Sequence, residues 1–164
     1  MAMHEDVESD LPTGTFPPMV ALSTGIVQVF TDFADEEATE GTKLAQNSFN
    51  VILKDSTPGA ALGFITVIEG RQIITVFGMA NIAVIESETE RQAKVFGDDE
   101  IRAKFIGSPA HKALYSAIRT AILTVAGLID HDMTLPDVAP LEDCEVDILY
   151  ADDLSSDEES DTEA

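Results

Sequence analysis

The sequence predicts an α+β domain: a mostly antiparallel sheet of five to six strands, or an OB-like barrel, with one long C-terminal helix and a disordered acidic tail. Three observations carry this. Apolar stretches rich in β-branched and aromatic residues recur between 26 and 87, a single pattern of helical period fills 108–129, and the twelve acids beyond residue 136 are accompanied by no lysine or arginine. The chain can build a core, since 45% of its 164 residues are hydrophobic, well above the composition of a disordered polypeptide.

Residues 1–18 are acidic and carry Pro12, Pro17 and Pro18, so they are expected to be mobile. Strands are expected at 26–33 (IVQVFTDF) and 48–54 (SFNVILK), separated by a polar loop. The runs 62–69 and 72–77 flank Gly70 and Arg71, and a two-residue loop with glycine first is a type II′ hairpin signal. The run 79–87 predicts a fifth strand. Ser87 and Glu90 then fit a capping box, which starts a short polar helix reaching Phe96. Ser108 is a good N-cap and Pro109 suits the first helical position, where a missing amide costs nothing. From there Leu114, Ile118, Ala121, Ile122, Val125 and Ile129 predict the buried face of the long helix, with Lys112, Tyr115, Ser116 and Arg119 opposite. The segment 144–150 (CEVDILY) could add one more strand. The expected organisation is a mobile start at 1–18, one globular domain at 19–135 and an acidic tail at 136–164.

Charge is distributed unevenly. The total of −22 divides into −4 for residues 1–16, −6 for 17–135 and −12 for the remainder. Six of the nine basic residues, Arg91, Lys94, Arg102, Lys104, Lys112 and Arg119, lie in one segment before the acidic tail. With Tyr115 as a stacking ring they form the expected nucleic-acid-binding set, since cationic groups neutralise phosphates and an aromatic face accepts a base. The tail offers Val146, Ile148, Leu149 and Tyr150 as an alternating segment able to add a strand to a partner's sheet. The acids around it could recruit that partner or compete with the nucleic acid.

Catalysis and bound cofactors are not expected. The histidines are His4, His111 and His131; Asp130, His131 and Asp132 are adjacent rather than spaced for one helix face, so no metal site is expected there. Cys144 has no histidine near it in sequence and lies among acids, which oppose a thiolate. A single cysteine excludes an internal disulfide and points to a reducing, cytoplasmic compartment. No signal segment is expected from MAMHEDVESD, and the apolar run 113–129 contains Arg119, so no membrane span is expected either.

The run Leu114, Tyr115, Ser116, Ala117, Ile118, followed by Leu128, Ile129 and Asp130 and preceded by several strands, resembles small single-stranded-DNA-binding proteins of protein-primed phages. The resemblance implies a β-rich replication accessory whose acidic tail recruits replication or host proteins. Two other readings stand beside it: an acidic inhibitor that imitates DNA, and a virion structural or assembly component. A homo-oligomer is compatible with all three. Convergence of the basic residues on one surface would favour nucleic-acid binding, alignment of the core acids would favour mimicry, and a large exposed apolar face would favour assembly.

Overall fold

The computed structural model describes residues 18–35, 41–85, 97–129 and 131–154. Five strands, β1 (Met19–Phe33), β2 (Thr42–Lys54), β3 (Thr57–Glu69), β4 (Gln72–Val84) and β5 (Glu145–Tyr150), form one sheet in the order β1-β4-β3-β2-β5. Pairings within β1 to β4 are antiparallel, whereas β5 runs parallel to β2. The sheet is therefore mixed, and among the described residues it is open, with β1 and β5 at its edges, rather than closed into a barrel. Helix α1 (Asp98–Phe105), the long α2 (Pro109–Leu128) and the single turn α3 (Ala151–Leu154) complete the described elements. The long helix is followed by β5, so it is not the last element of the fold.

Turn chemistry explains the strand boundaries. Gly70 has a φ of 59° and opens the β3–β4 hairpin, as the glycine-first signal predicts. Asp55 and Ser56 both take positive φ, 52° and 60°, and join β2 to β3 in a second tight hairpin. That turn makes Thr57, Pro58 and Gly59 part of β3 rather than a loop. Pro58 is tolerated in a central strand because a register shift between Ile52 and Leu53 lies opposite it. The expected fourth and fifth strands are one strand, β4, which runs through Gly78.

One face of the sheet holds the core. Phe49, Val51, Ala61, Ile65, Val67, Ile74, Val76 and Ala80 are buried there beneath α1 and α2. Helix α2 begins as expected: Ser108 Oγ accepts from His111 N, and Pro109 follows it. Its N-terminal part meets β2, where the His111 and Phe49 rings lie 4.7 Å apart edge to face. Leu114 and Ile118 then pass over Gly63 and Gly78, where a Cβ would come within 2.5 and 2.7 Å of Ile118. The helix thus runs obliquely across the sheet towards β1.

The buried stripe of α2 differs from the expected one. It is Ala110, His111, Leu114, Tyr115, Ile118, Ile122 and Ala126, while Ile129 is exposed. Two residues with polar tips join the core because each tip has a partner. Tyr115 donates from its hydroxyl to the Pro136 carbonyl at 2.7 Å, and His111 Nδ1 accepts from Gly107 N at 3.0 Å.

The domain boundary expected at residue 135 falls inside the fold. Met133, Leu135 and Ala139 are buried, and Val146 of β5 packs into the core. The helix expected at 87–96 and the acidic end at 155–164 lie outside the described residues.

Candidate interaction surface

The second face of the sheet has no helix on it among the described residues. Alternation along the strands fixes its membership: Gln46, Ser48, Asn50 and Ile52 from β2; Leu62, Phe64, Thr66 and Ile68 from β3; Ile73, Thr75, Phe77 and Met79 from β4; Gln28 and Phe30 from β1. At its centre Phe64 and Phe77 pack with ring centroids 4.5 Å apart, and Phe77 meets Phe30 edge to face at 5.8 Å. Thr66 and Thr75 share a hydrogen bond of 2.9 Å beside them. Neither β3 nor β4 places a charged side chain on this face. Charges appear at its margins only, with Lys43 and Lys54 from β2, Asp32 from β1, and Glu145 and Asp147 from β5.

This surface has the dimensions of an interface. The β3–β4 ladder is ten residue pairs long, which at about 3.3 Å per residue gives roughly 33 Å, and four strands at about 4.8 Å spacing give roughly 19 Å. About 600 Å² per molecule follows. Paired with an equal surface it buries roughly 1,200 Å², the lower end of the range for specific interfaces.

Beside it lies an unusual edge. From Leu22 to Phe33 every residue of β1 is exposed, including Leu22 at 71% and Phe33 at 70%. Ile26, Val29 and Phe33 belong to the same face as the core, by their pairing with Gly78, Val76 and Gln72, yet the helix layer does not bury them. The end of α2, on this side of the sheet, leaves Leu128 81% exposed.

Of the residues expected to bind nucleic acid, Tyr115, Arg102 and Arg119 are engaged within the fold. Arg91 and Lys94 lie outside the described residues. Tyr115 is 1% exposed, and burial raises its pKa, so it is a core residue and not a stacking platform. Arg102 donates from Nε to the Val146 carbonyl and from Nη1 to Asp99, both at 2.6 Å. Arg119 is half-buried and pairs with Asp137 at 2.6 Å. These two guanidiniums hold β5 and the loop after α2 in place. Lys104 and Lys112 are exposed.

The expected docking segment is a strand of the protein's own sheet. Val146, Ile148 and Tyr150 pair with Phe49, Val51 and Leu53 of β2, and Leu149 with Ile52. The Tyr150 hydroxyl donates to Asp98 at 2.5 Å, tying β5 to the start of α1; this hydrogen bond is the main reason its pKa is raised. The sequence allows a strand at 144–150 but gives no sign of its parallel partner, because β2 lies almost a hundred residues upstream.

One pair was not visible in the sequence. Cys144 Sγ lies 3.9 Å from His111 Nε2. Since Nδ1 accepts from Gly107, the neutral imidazole carries its proton on Nε2, facing the sulfur. Burial lowers the His111 pKa to about 4, helped by the Lys112 charge, and raises the Cys144 thiol to about 11, helped by Glu145. Both groups are held neutral at pH 7, the opposite of a thiolate–imidazolium nucleophile. Of the Asp130, His131 and Asp132 triplet, Asp130 lies outside the described residues; among those described, no group of three or more potential metal ligands forms. Nor is any described helix long and apolar enough to cross a membrane.

Comparisons with protein-family models, curated proteins and solved structures found no match. Function rests on the geometry of this sheet.

Proposed function

We propose that this protein is a non-catalytic assembly subunit that associates with copies of itself through the uncovered side of its sheet. The observation that carries the reading is the Phe30, Phe77, Phe64 row on a face that holds no charge at its centre. A second copy is the occupant best matched to it. The chain carries −22 overall, so copies repel at long range. An uncharged patch on such a chain is where two of them can touch without opposing like charges. A face that meets its own copy makes the isologous contact of a two-fold interface.

Sedimentation velocity of the full chain from about 1 to 200 μM tests the proposal. Mass should rise with concentration, and Phe77→Asp should weaken association at least tenfold while preserving the circular dichroism of the native sheet. A chain that stays monomeric across the range, or a variant that associates as well as the parent, would refute it.

The aromatic row supports a second reading, single-strand nucleic-acid binding by base stacking on the same face, in line with the phage-protein resemblance. Its weakness is electrostatic. The face has Lys43 and Lys54 against Asp32, Glu145 and Asp147, and strand affinity comes chiefly from phosphate neutralisation. Binding of labelled oligothymidine at low salt, lost on adding salt and lost in Phe77→Asp, would favour this reading over self-association.

A further inference from the structure

The β1 edge carries information beyond the outer face. An edge strand exposes a row of unpaired backbone groups, and proteins usually keep such edges short, charged or covered. Here the edge is fifteen residues long, its only charged residue is Asp32, and from Leu22 onward its apolar side chains are uncovered on both faces. Among the described residues β4 is its only strand neighbour. We infer that a second copy of the chain pairs its β1 antiparallel to this one, about a two-fold axis passing through Phe30 perpendicular to the sheet.

The register follows from the pairing pattern. β1 has shifts between Ala21 and Ser23 and between Ile26 and Gln28, so its regular stretch is Gln28–Phe33. An axis normal to the sheet keeps both helix layers on one side, so opposed residues must belong to the same face. The axis must therefore pass through a residue and not between two. Centring on Asp32 sets two carboxylates against each other, and centring on Thr31 sets Asp32 against a phenylalanine ring. Centring on Val29 pairs only Gln28–Phe30 of the regular stretch, whereas an axis at Phe30 pairs Gln28–Asp32. Centring on Phe30 places the ring opposite its own counterpart, Val29 opposite Thr31, and Asp32 opposite the neutral Gln28. The Phe64, Phe77, Phe30 row then continues across the junction, and the exposed last turn of α2 comes to face the other copy.

This inference rests on the self-association reading and specifies a contact distinct from the outer face. Two copies joined by their edges present one ten-stranded outer surface. Two such pairs stacked on that surface close as a tetramer with perpendicular two-fold axes.

Cysteine cross-linking in a Cys144→Ser background tests the register. Gln28→Cys combined with Asp32→Cys should give a covalent dimer on mild oxidation, because each new thiol faces the other residue's thiol in the second copy. Either substitution alone should not, since like positions then lie about four residues apart along the strands, beyond the roughly 7 Å limit for Cα atoms of a disulfide. Phe30 stays intact in all of these. The same double substitution in a Phe77→Asp chain should still cross-link, because the edge contact does not need the outer face. Oligomers that form without this cross-link pattern would overturn the edge register while leaving self-association standing. A chain that is monomeric by sedimentation and does not cross-link would overturn both.

Discussion

Gly63 and Gly78 make the seat for α2, and their geometry permits a quantitative test. A Cβ on Gly63 would meet Ile118 Cδ1 at 2.5 Å, Phe49 Cε1 at 3.0 Å and Leu114 Cδ2 at 3.3 Å. A Cβ on Gly78 would meet Ile118 Cγ1 at 2.7 Å, nearer the helix backbone, and Cδ1 at 3.0 Å. Overpacking a core costs about 1 to 3 kcal/mol, and alanine recovers about 0.5 to 1 kcal/mol of the strand glycine's entropy. Gly63→Ala should therefore lose up to about 2.5 kcal/mol, and Gly78→Ala at least as much as Gly63→Ala. Ile118→Val removes Cδ1 alone, costing about 0.5 to 1.5 kcal/mol. In the Gly63→Ala/Ile118→Val pair the new methyl enters the space that Cδ1 leaves, so the double variant should lose at least about 1 kcal/mol less than the sum of the singles. The Gly78→Ala/Ile118→Val pair keeps the clash with Cγ1 and should be additive within about 0.5 kcal/mol. Urea unfolding followed by circular dichroism at one fixed protein concentration measures all five variants, the fixed concentration keeping any association term constant. Equal coupling in the two cycles, or none in either, would refute the placement of Ile118 over these glycines.

Three further outcomes follow from the buried groups. The His111 pKa is lowered from 6.5 to about 4, so between these values the unfolded chain binds a proton that the folded one does not. Its contribution is present above pH 6.5 and lost as pH falls towards 4, by up to roughly 3 kcal/mol, and His111→Gln should flatten the slope of stability between pH 6.5 and 5; an unchanged slope would contradict the burial of the imidazole. With its thiol raised to about 11, Cys144 should react with a disulfide reagent at pH 8 at least tenfold more slowly than in urea-unfolded chain, and equal rates would show an accessible thiolate. Arg102→Ala should lose about 1 to 3 kcal/mol, because it strips a charged donor from the Val146 carbonyl. Lys104→Ala should change stability by less than about 0.5 kcal/mol, and similar losses in both would remove Arg102 from its bracing role.

The elements with local signals were legible from sequence. Ser108, Pro109 and the recurrence of Leu114, Ile118 and Ile122 locate α2, and Gly70 with Arg71 locates the central hairpin, because caps and turns are fixed by neighbours in the chain. What depended on distant partners was not. Tyr115 and Arg119 look like a polar helix face, yet the loop holding Pro136 and Asp137 folds against them and bonds to each. Gly78 looks like a strand break, but its missing side chain makes room for Ile118 on another element. The segment at 144–150 shows alternation that fits an edge or a docking peptide equally, and only its parallel pairing with β2 decides. The aromatic row was hidden for a similar reason: Phe30, Phe64 and Phe77 belong to three separate strands, and only the register sets them side by side on the outer face.

Side-chain footprinting by hydroxyl radicals, in dilute and in concentrated solutions of the full chain, tests most directly whether that face is the contact surface. Met79 is exposed on the outer face next to Phe77, whereas Val138 and Leu141 are exposed on the loop before β5. Self-association through the sheet predicts that oxidation of Met79 and Phe77 falls severalfold as concentration rises while Val138 and Leu141 are labelled at a constant rate. Labelling of Met79 and Phe77 that stays the same at every concentration, or protection confined to the loop, would contradict it.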